Sequence, residues 1–192
     1  MTRAAPCVSL HDVPISAKRT VALMSLPLRL VVLAAAFFAT SVSAQEVKVL
    51  GTFGKWIAQT YKENGQSVCF MSMKPEKSEG NYKARGDVLF MVTHRPAERA
   101  FDVITVAAGY QYQPDSDAVI NSTGKRFSLF TNGERAWARD AQTDKAIVQL
   151  LAKSKTMTVK GTSSRSNITT DSFSLNGFAA AHKSISDSCK KP

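Results

Sequence analysis

The sequence predicts a mainly β domain, an antiparallel sandwich of short strands with two short helices and one disulfide. Three observations point there. Short segments rich in β-branched or aromatic residues alternate with turn signals. Two late stretches carry apolar residues at helical spacing. Two cysteines, Cys69 and Cys189, lie beyond an export signal, where an even count favours a bridge.

The expected strands are Gln66–Met73, Asp87–Thr93, Phe101–Ala107, Lys125–Thr131, Arg135–Arg139, Thr156–Lys160 and Ile168–Leu175. Thr131-Asn132-Gly133-Glu134 is the clearest turn, since Asn-Gly tolerates the positive φ of a type I′ hairpin. Pro114-Asp115-Ser116-Asp117 and Ser122-Thr123-Gly124 are further turns. Val88 to Val92 is continuously apolar, which suits a strand covered on both faces. Thr143 is expected to cap a helix over Asp144–Lys153, and Asn176 a second from Gly177 to about Ser188. In the second, Phe178, Ala181, Ile185 and Cys189 form one inward stripe. Cys69 shares a strand face with Met71 and Met73, so the stripe can bring Cys189 to it. A loop of that length is worth up to about 5 kcal/mol in the chain-entropy account.

Residues 1–44 read as an export signal. Leu30 to Ala39 is apolar, Arg29 precedes it, and Val42 and Ala44 sit at the −3 and −1 positions of a cut before Gln45. The run is shorter than the roughly 20 apolar residues that span a bilayer, so no stable transmembrane segment is expected after processing. Met24 would begin a signal of ordinary length, which makes it a candidate start. Residues 45–192 then form a single domain.

Removing Arg3, Lys18, Arg19, Arg29 and Asp12 takes the basic count from 25 to 21 and the acidic count from 15 to 14, a net charge of +7. A basic balance favours acidic partners such as anionic lipid, cell-surface polysaccharide or nucleic acid. Here the charges are scattered, which suits a soluble basic surface and no nucleic-acid role.

Catalytic motifs are scarce. No C-x-x-C or G-x-S-x-G occurs, and Gly161-Thr162-Ser163-Ser164-Arg165 lacks the ending of a phosphate loop. His94, His182 and two separated cysteines fall short of a zinc set, so no metal and no cofactor is expected. His182 falls near the buried face of its helix, and a core or boundary histidine is the simpler reading. A deep polar pocket holding His94 or His182 beside Ser and Asp would instead favour a hydrolase. Tyr110 and Tyr112, two residues apart, project to one face and are candidates for a binding patch beside Arg95 or Arg99. Core packing of the two rings is the competing outcome.

An ordered set of motifs adds a resemblance. Phe53-Gly54-Lys55-Trp56 opens the domain, and Val68-Cys69-Phe70 precedes Met73-Lys74-Pro75. Val92-Thr93-His94-Arg95-Pro96, Ala108-Gly109-Tyr110, Phe127-Ser128-Leu129-Phe130 and Ala136-Trp137-Ala138 follow. Gly161 to Arg165 then leads to Thr170-Asp171-Ser172-Phe173-Ser174-Leu175-Asn176-Gly177-Phe178, and Cys189 ends the set. Over nearly all of residues 50–190 this resembles the invasion-associated locus B family of exported proteins. The resemblance implies an immunoglobulin-like β-sandwich in the periplasm, at the outer surface or secreted. It implies no catalytic residues. The expected function is contact with a protein or cell-surface partner rather than turnover, and the family's name implies a host-related role.

Overall fold

The computed structural model describes residues 46–191. The apolar run at Leu30–Ala39 and the cut between Ala44 and Gln45 lie outside the described residues. Among the described residues no helix is long and apolar enough to cross a membrane.

Among the described residues eleven antiparallel strands and two α-helices follow one another. The strands are β1 (Lys48–Phe53), β2 (Trp56–Glu63), β3 (Gln66–Met73), β4 (Lys77–Gly80), β5 (Leu89–Arg95), β6 (Ala100–Ala107), β7 (Asp117–Ser122), β8 (Lys125–Asn132) and β9 (Arg135–Trp137). Helix α1 (Ala141–Leu151) comes next, then β10 (Thr156–Thr162), β11 (Ile168–Ser174) and helix α2 (Phe178–Ser188). The strands form one ladder in the order β1-β2-β3-β5-β6-β9-β8-β7-β10-β11-β4. Short β9 is the joint between its halves, since it pairs with β6 on one side and β8 on the other.

The halves bring their inner faces together, an arrangement compatible with the expected sandwich. Phe90 of β5 meets Phe173 of β11 with ring centroids 5.9 Å apart. Trp56 of β2 packs edge-on against Phe90 and Phe178, and its indole N–H donates to the Ser174 carbonyl at 3.1 Å. Trp56, Phe90, Phe173 and Phe178 are all buried, so this cluster anchors both halves and α2. Buried aromatics remove the most apolar area per residue and gain from edge-to-face contact. Cys69 on β3 and Cys189 after α2 are bonded across 120 residues, with Cα atoms 6.0 Å apart.

Local chemistry explains where the elements begin. The Asp140 carboxylate accepts the Thr143 N–H at 2.7 Å and so caps α1. The expected cap, Thr143, sits inside the helix and donates its hydroxyl to the same carboxylate. At α2 the cap position is Gly177 at φ 87°, with no side-chain bond, rather than Asn176. A Cβ at Gly177 would lie 2.1 Å from the Phe53 carbonyl oxygen, so the close approach of β1 selects glycine there. The β8–β9 hairpin forms as expected, one residue out of the expected frame. Asn132 pairs with Arg135, and Gly133 takes φ 59° at the first central position, as in a type II′ turn. The apolar run Val88–Val92 alternates: Phe90 and Val92 are buried, Leu89 and Met91 half-buried.

Candidate functional site

Ladder register places large apolar side chains on the open face of the sheet. Tyr61 pairs with Val68, and Gln59 with Phe70. Phe70 pairs with Thr93, Thr93 with Val103, and Met91 with Thr105. Thr105 pairs with Trp137, and Trp137 with Phe130. Directly opposed residues point to the same side, so these residues form one band across β2, β3, β5, β6, β9 and β8. The inner face carries Cys69, Met71, Phe90 and Val92 instead. The open face of an antiparallel sandwich is ordinarily polar. Here it holds a groove of about 370 Å³ floored by Val68, Met91 and Val103 and walled by Tyr61, Phe70 and Trp137. The Tyr61 and Phe70 rings meet edge-on at 5.9 Å, and Phe130 stacks on Trp137 at 5.6 Å.

Two arginines line the groove. Arg95 is held by Glu63, with Tyr61 Oη 3.4 Å away, and its hydrogen bond to Glu63 raises its pKa further. Arg135 is exposed and has no acidic partner among the described residues. Aromatic side chains beside arginine concentrate binding energy at interfaces.

Of the expected patch, only Arg95 belongs to this groove. Tyr110, Tyr112, Arg95 and Arg99 do not form one surface. Leu89 pairs with Ala107 at one end of the β5–β6 hairpin and Arg95 with Ala100 at the other. Arg95 and Arg99 therefore lie about 20 Å along the strands from the tyrosines. Tyr110 and Tyr112 do share a side, with ring centroids 5.3 Å apart, and that side is the interior. Tyr112 is buried, which pushes its phenol pKa up. Tyr110 is half-buried, lies within hydrogen-bond distance of Thr169 Oγ1 (2.7 Å) and sits under the Arg85 guanidinium at 4.8 Å. Gly161 makes room for both rings: a Cβ there would lie 2.7 Å from Tyr112 and 2.8 Å from the Tyr110 hydroxyl.

The histidines form a separate buried cluster beside the disulfide. The β5–β6 ladder shifts register between Thr93 and Arg95, and Asp102 takes φ 61° there. Such an irregularity re-aims side chains. The Asp102 N–H donates to His94 Nδ1 at 3.0 Å, so a neutral His94 carries its proton on Nε2, 3.1 Å from Ser186 Oγ. The Asp102 carboxylate accepts from His182 Nε2 at 2.7 Å and from the Lys191 ammonium. Burial works to raise the Asp102 pKa, and these two donors more than reverse it, holding it at about 2. Burial holds His94 down at about 4.

His94, Asp102, His182 and Ser186 are thus assembled, as a hydrolase reading requires, but their protons run the other way. A base for Ser186 needs a bare Nε2, and the Asp102 N–H keeps the proton on that atom. The same proton occupies the lone pair that a cation would need, although ligand atoms of His94, Asp102 and His182 lie within 4.8 Å of one another. Lys191 adds a competing positive charge at Asp102.

A second buried carboxylate, Asp144 on α1, accepts the Ile104 N–H at 2.9 Å. Burial pushes its pKa up to about 6. Asp144 and His94 therefore act oppositely on acidification. The unfolded chain takes up a proton at His94 near pH 6.5 that the folded state refuses until about 4, so stability falls across that window. At Asp144 the folded state binds its proton near 6 and the unfolded chain only near 3.8, so stability rises as pH falls between them. Asp144→Asn is expected to lose more stability from pH 6.5 to 4 than the unmodified protein, read as urea midpoints. Parallel curves would show that Asp144 does not titrate as stated.

The fold and groove define a class by architecture: an antiparallel β domain with one buried disulfide and an aromatic groove on its open face. The family model described as Invasion associated locus B (IalB) protein matches residues 56–186, and the chain belongs to that family. No curated protein and no solved structure matches the chain.

Proposed function

We propose that this is an exported, non-catalytic envelope or surface protein that works by contact, with the aromatic groove as its contact site. The observation that carries this is the band Tyr61–Phe70–Val103–Trp137 on a face where polar residues are the rule. The occupant is a protein segment presenting apolar side chains, with a carboxylate placed to meet Arg135. The proton order at Ser186, His94 and Asp102 favours contact over hydrolysis, and the family's name is consistent with a role in association with host cells.

A photo-crosslinking residue at Gln59, which shares the groove face, is expected to give one discrete adduct in intact cells. The same residue at Lys125, at the start of β8, is expected to give none. Arg135→Glu should abolish the Gln59 adduct while leaving the melting temperature unchanged, because Arg135 is exposed and unpaired. Equal adducts from Gln59 and Lys125, or an adduct indifferent to Arg135→Glu and Trp137→Ala, would remove the groove from consideration. The crosslinker-bearing chain in that adduct should itself begin at Gln45.

A further inference from the structure

A second recess lies away from the groove, between the loop after β4 and the turn joining β10 to β11. It encloses about 600 Å³, within the usual range for small-ligand sites of roughly 300–1,000 Å³. Tyr82, Tyr110, Asn81 and Asn167 line it. Lys83 and Arg165 also line it, and both are exposed.

The wall behind these residues is fixed. Arg85 makes a two-pronged bond to Asp171 at 2.7 Å on each arm, and both side chains are almost fully buried. The Arg85 guanidinium lies 4.8 Å from the Tyr110 ring centroid and 5.5 Å from that of Tyr82, which steadies both rings. The turn beyond is pinned to the tyrosine segment: Ser164 N–H donates to the Gln111 carbonyl at 2.7 Å. The rings and the turn therefore hold their positions without an occupant.

What faces the recess is less satisfied. The Lys83 and Arg165 cations and the side-chain amides of Asn81 and Asn167 bond to no other described residue, while the Asn167 backbone is tied to Ser163. The nearby acids are already engaged, Asp171 by Arg85 and Glu134 by the Gln111 amide. The recess is thus lined by two tyrosines, two side-chain amides without hydrogen-bond partners and two cations without ion-pair partners among the described residues.

We propose that this recess binds an acidic saccharide. A pyranose ring offers an apolar C–H face to tyrosine and a rim of hydroxyls that both donate and accept, which amides match in both senses. Its carboxylate or sulfate meets Lys83 and Arg165, and arginine suits the fork geometry of either anion. An acidic peptide would use the cations and leave the rings and amides without partners. A neutral sugar would leave the cations without partners. The site is independent of the groove, so either can fail alone.

The test measures binding of three tetrasaccharides by calorimetry to the protein purified from cells: a heparin-derived one, a galacturonate one and a neutral glucose one. One or both acidic probes are expected to bind at least about tenfold more tightly than the neutral one, and which of them binds separates sulfate from carboxylate recognition. Lys83→Ala/Arg165→Ala should weaken that binding by about tenfold or more at unchanged melting temperature. Tyr82→Ala should weaken it too, and Trp137→Ala in the groove should not. The proposal is overturned if no acidic probe binds, if the neutral probe binds equally, or if binding survives the double variant. A glutamate tetrapeptide binding as tightly as the best saccharide would also overturn it, by showing attraction to charge alone.

Discussion

Arg85→Ala is expected to cost about 3–5 kcal/mol of stability, the usual penalty for removing one partner of a buried ion pair. Arg85 and Asp171 have side chains only 5% and 4% exposed, so the carboxylate left behind has no water to replace the guanidinium. The loss spreads through three elements. Arg85 Nε also donates to the Ala108 carbonyl at 2.6 Å, and the Ser78 hydroxyl donates to Asp171 at 2.6 Å. Asp171 and Ser78 are cross-strand partners, so the pair holds β4 onto β11 and the loop after β4 onto the end of β6. Asp171→Asn should cost a similar amount, and Arg85→Met/Asp171→Leu should recover much of it, because no charge is then stranded. Urea unfolding of the three variants beside the unmodified protein measures each loss and the recovery. An Arg85→Ala loss below about 1 kcal/mol would mean that the pair is open to solvent.

Removing the disulfide is the other large effect. Cys69→Ala should cost about 2–5 kcal/mol, the range for a native bridge in a small domain. The bridge closes 120 residues and joins β3 to the end of α2, so its loss frees nearly the whole described chain from one constraint. Cys69 and Cys189 are both buried, and part of the loss is packing. Cys69→Ala/Cys189→Ala and chemical reduction of the unmodified protein separate the contributions: the variant loses bridge and sulfur, reduction loses only the bridge. Both should lower the urea midpoint, the variant by at least as much. A reduced protein as stable as the oxidised one would refute the account.

The parts of the fold written in local chemistry were legible. Cys189 falls on the same helical stripe as Phe178 and Ile185, so α2 follows from spacing, and the bridge from that stripe together with the even cysteine count after the export signal. The β8–β9 hairpin was legible through turn chemistry, with Gly133 supplying the positive φ. The strands that were missed divide into two kinds. β2 ends in Asn64-Gly65 at φ 50° and 77°, a turn as readable as the one chosen, and its neglect hid the β2–β3 hairpin. β4 is Lys-Ser-Glu-Gly, with no apolar residue to signal a strand, and it exists because β11 offers it a partner.

The groove was harder to see. Tyr61 and Phe70 are unremarkable one by one, Trp137 reads from the sequence as a core or edge residue before a binding one, and only ladder register sets the three side by side. Tyr110 and Arg95 failed as a pair because side-chain parity is local, whereas their separation depends on which way the β5–β6 hairpin runs. Asp102 turns inward through a register shift that no spacing rule reports.

The two strands that end the ladder differ in how they receive a stray chain. β4 is four residues long, exposed and charged, and it offers little template for another strand to add to. β1 is longer, with Val49 56% exposed and Val47 47% exposed just before it, which is the adhesive kind of edge. Its register slips between Val49 and Gly51, and Lys48 sets a charge between the two valines. A strand arriving from a crowded neighbour can therefore match only part of β1 before the hydrogen-bond spacing breaks. That irregularity is a built-in brake on stacking, and it sits at the one edge of the sheet sticky enough to require one.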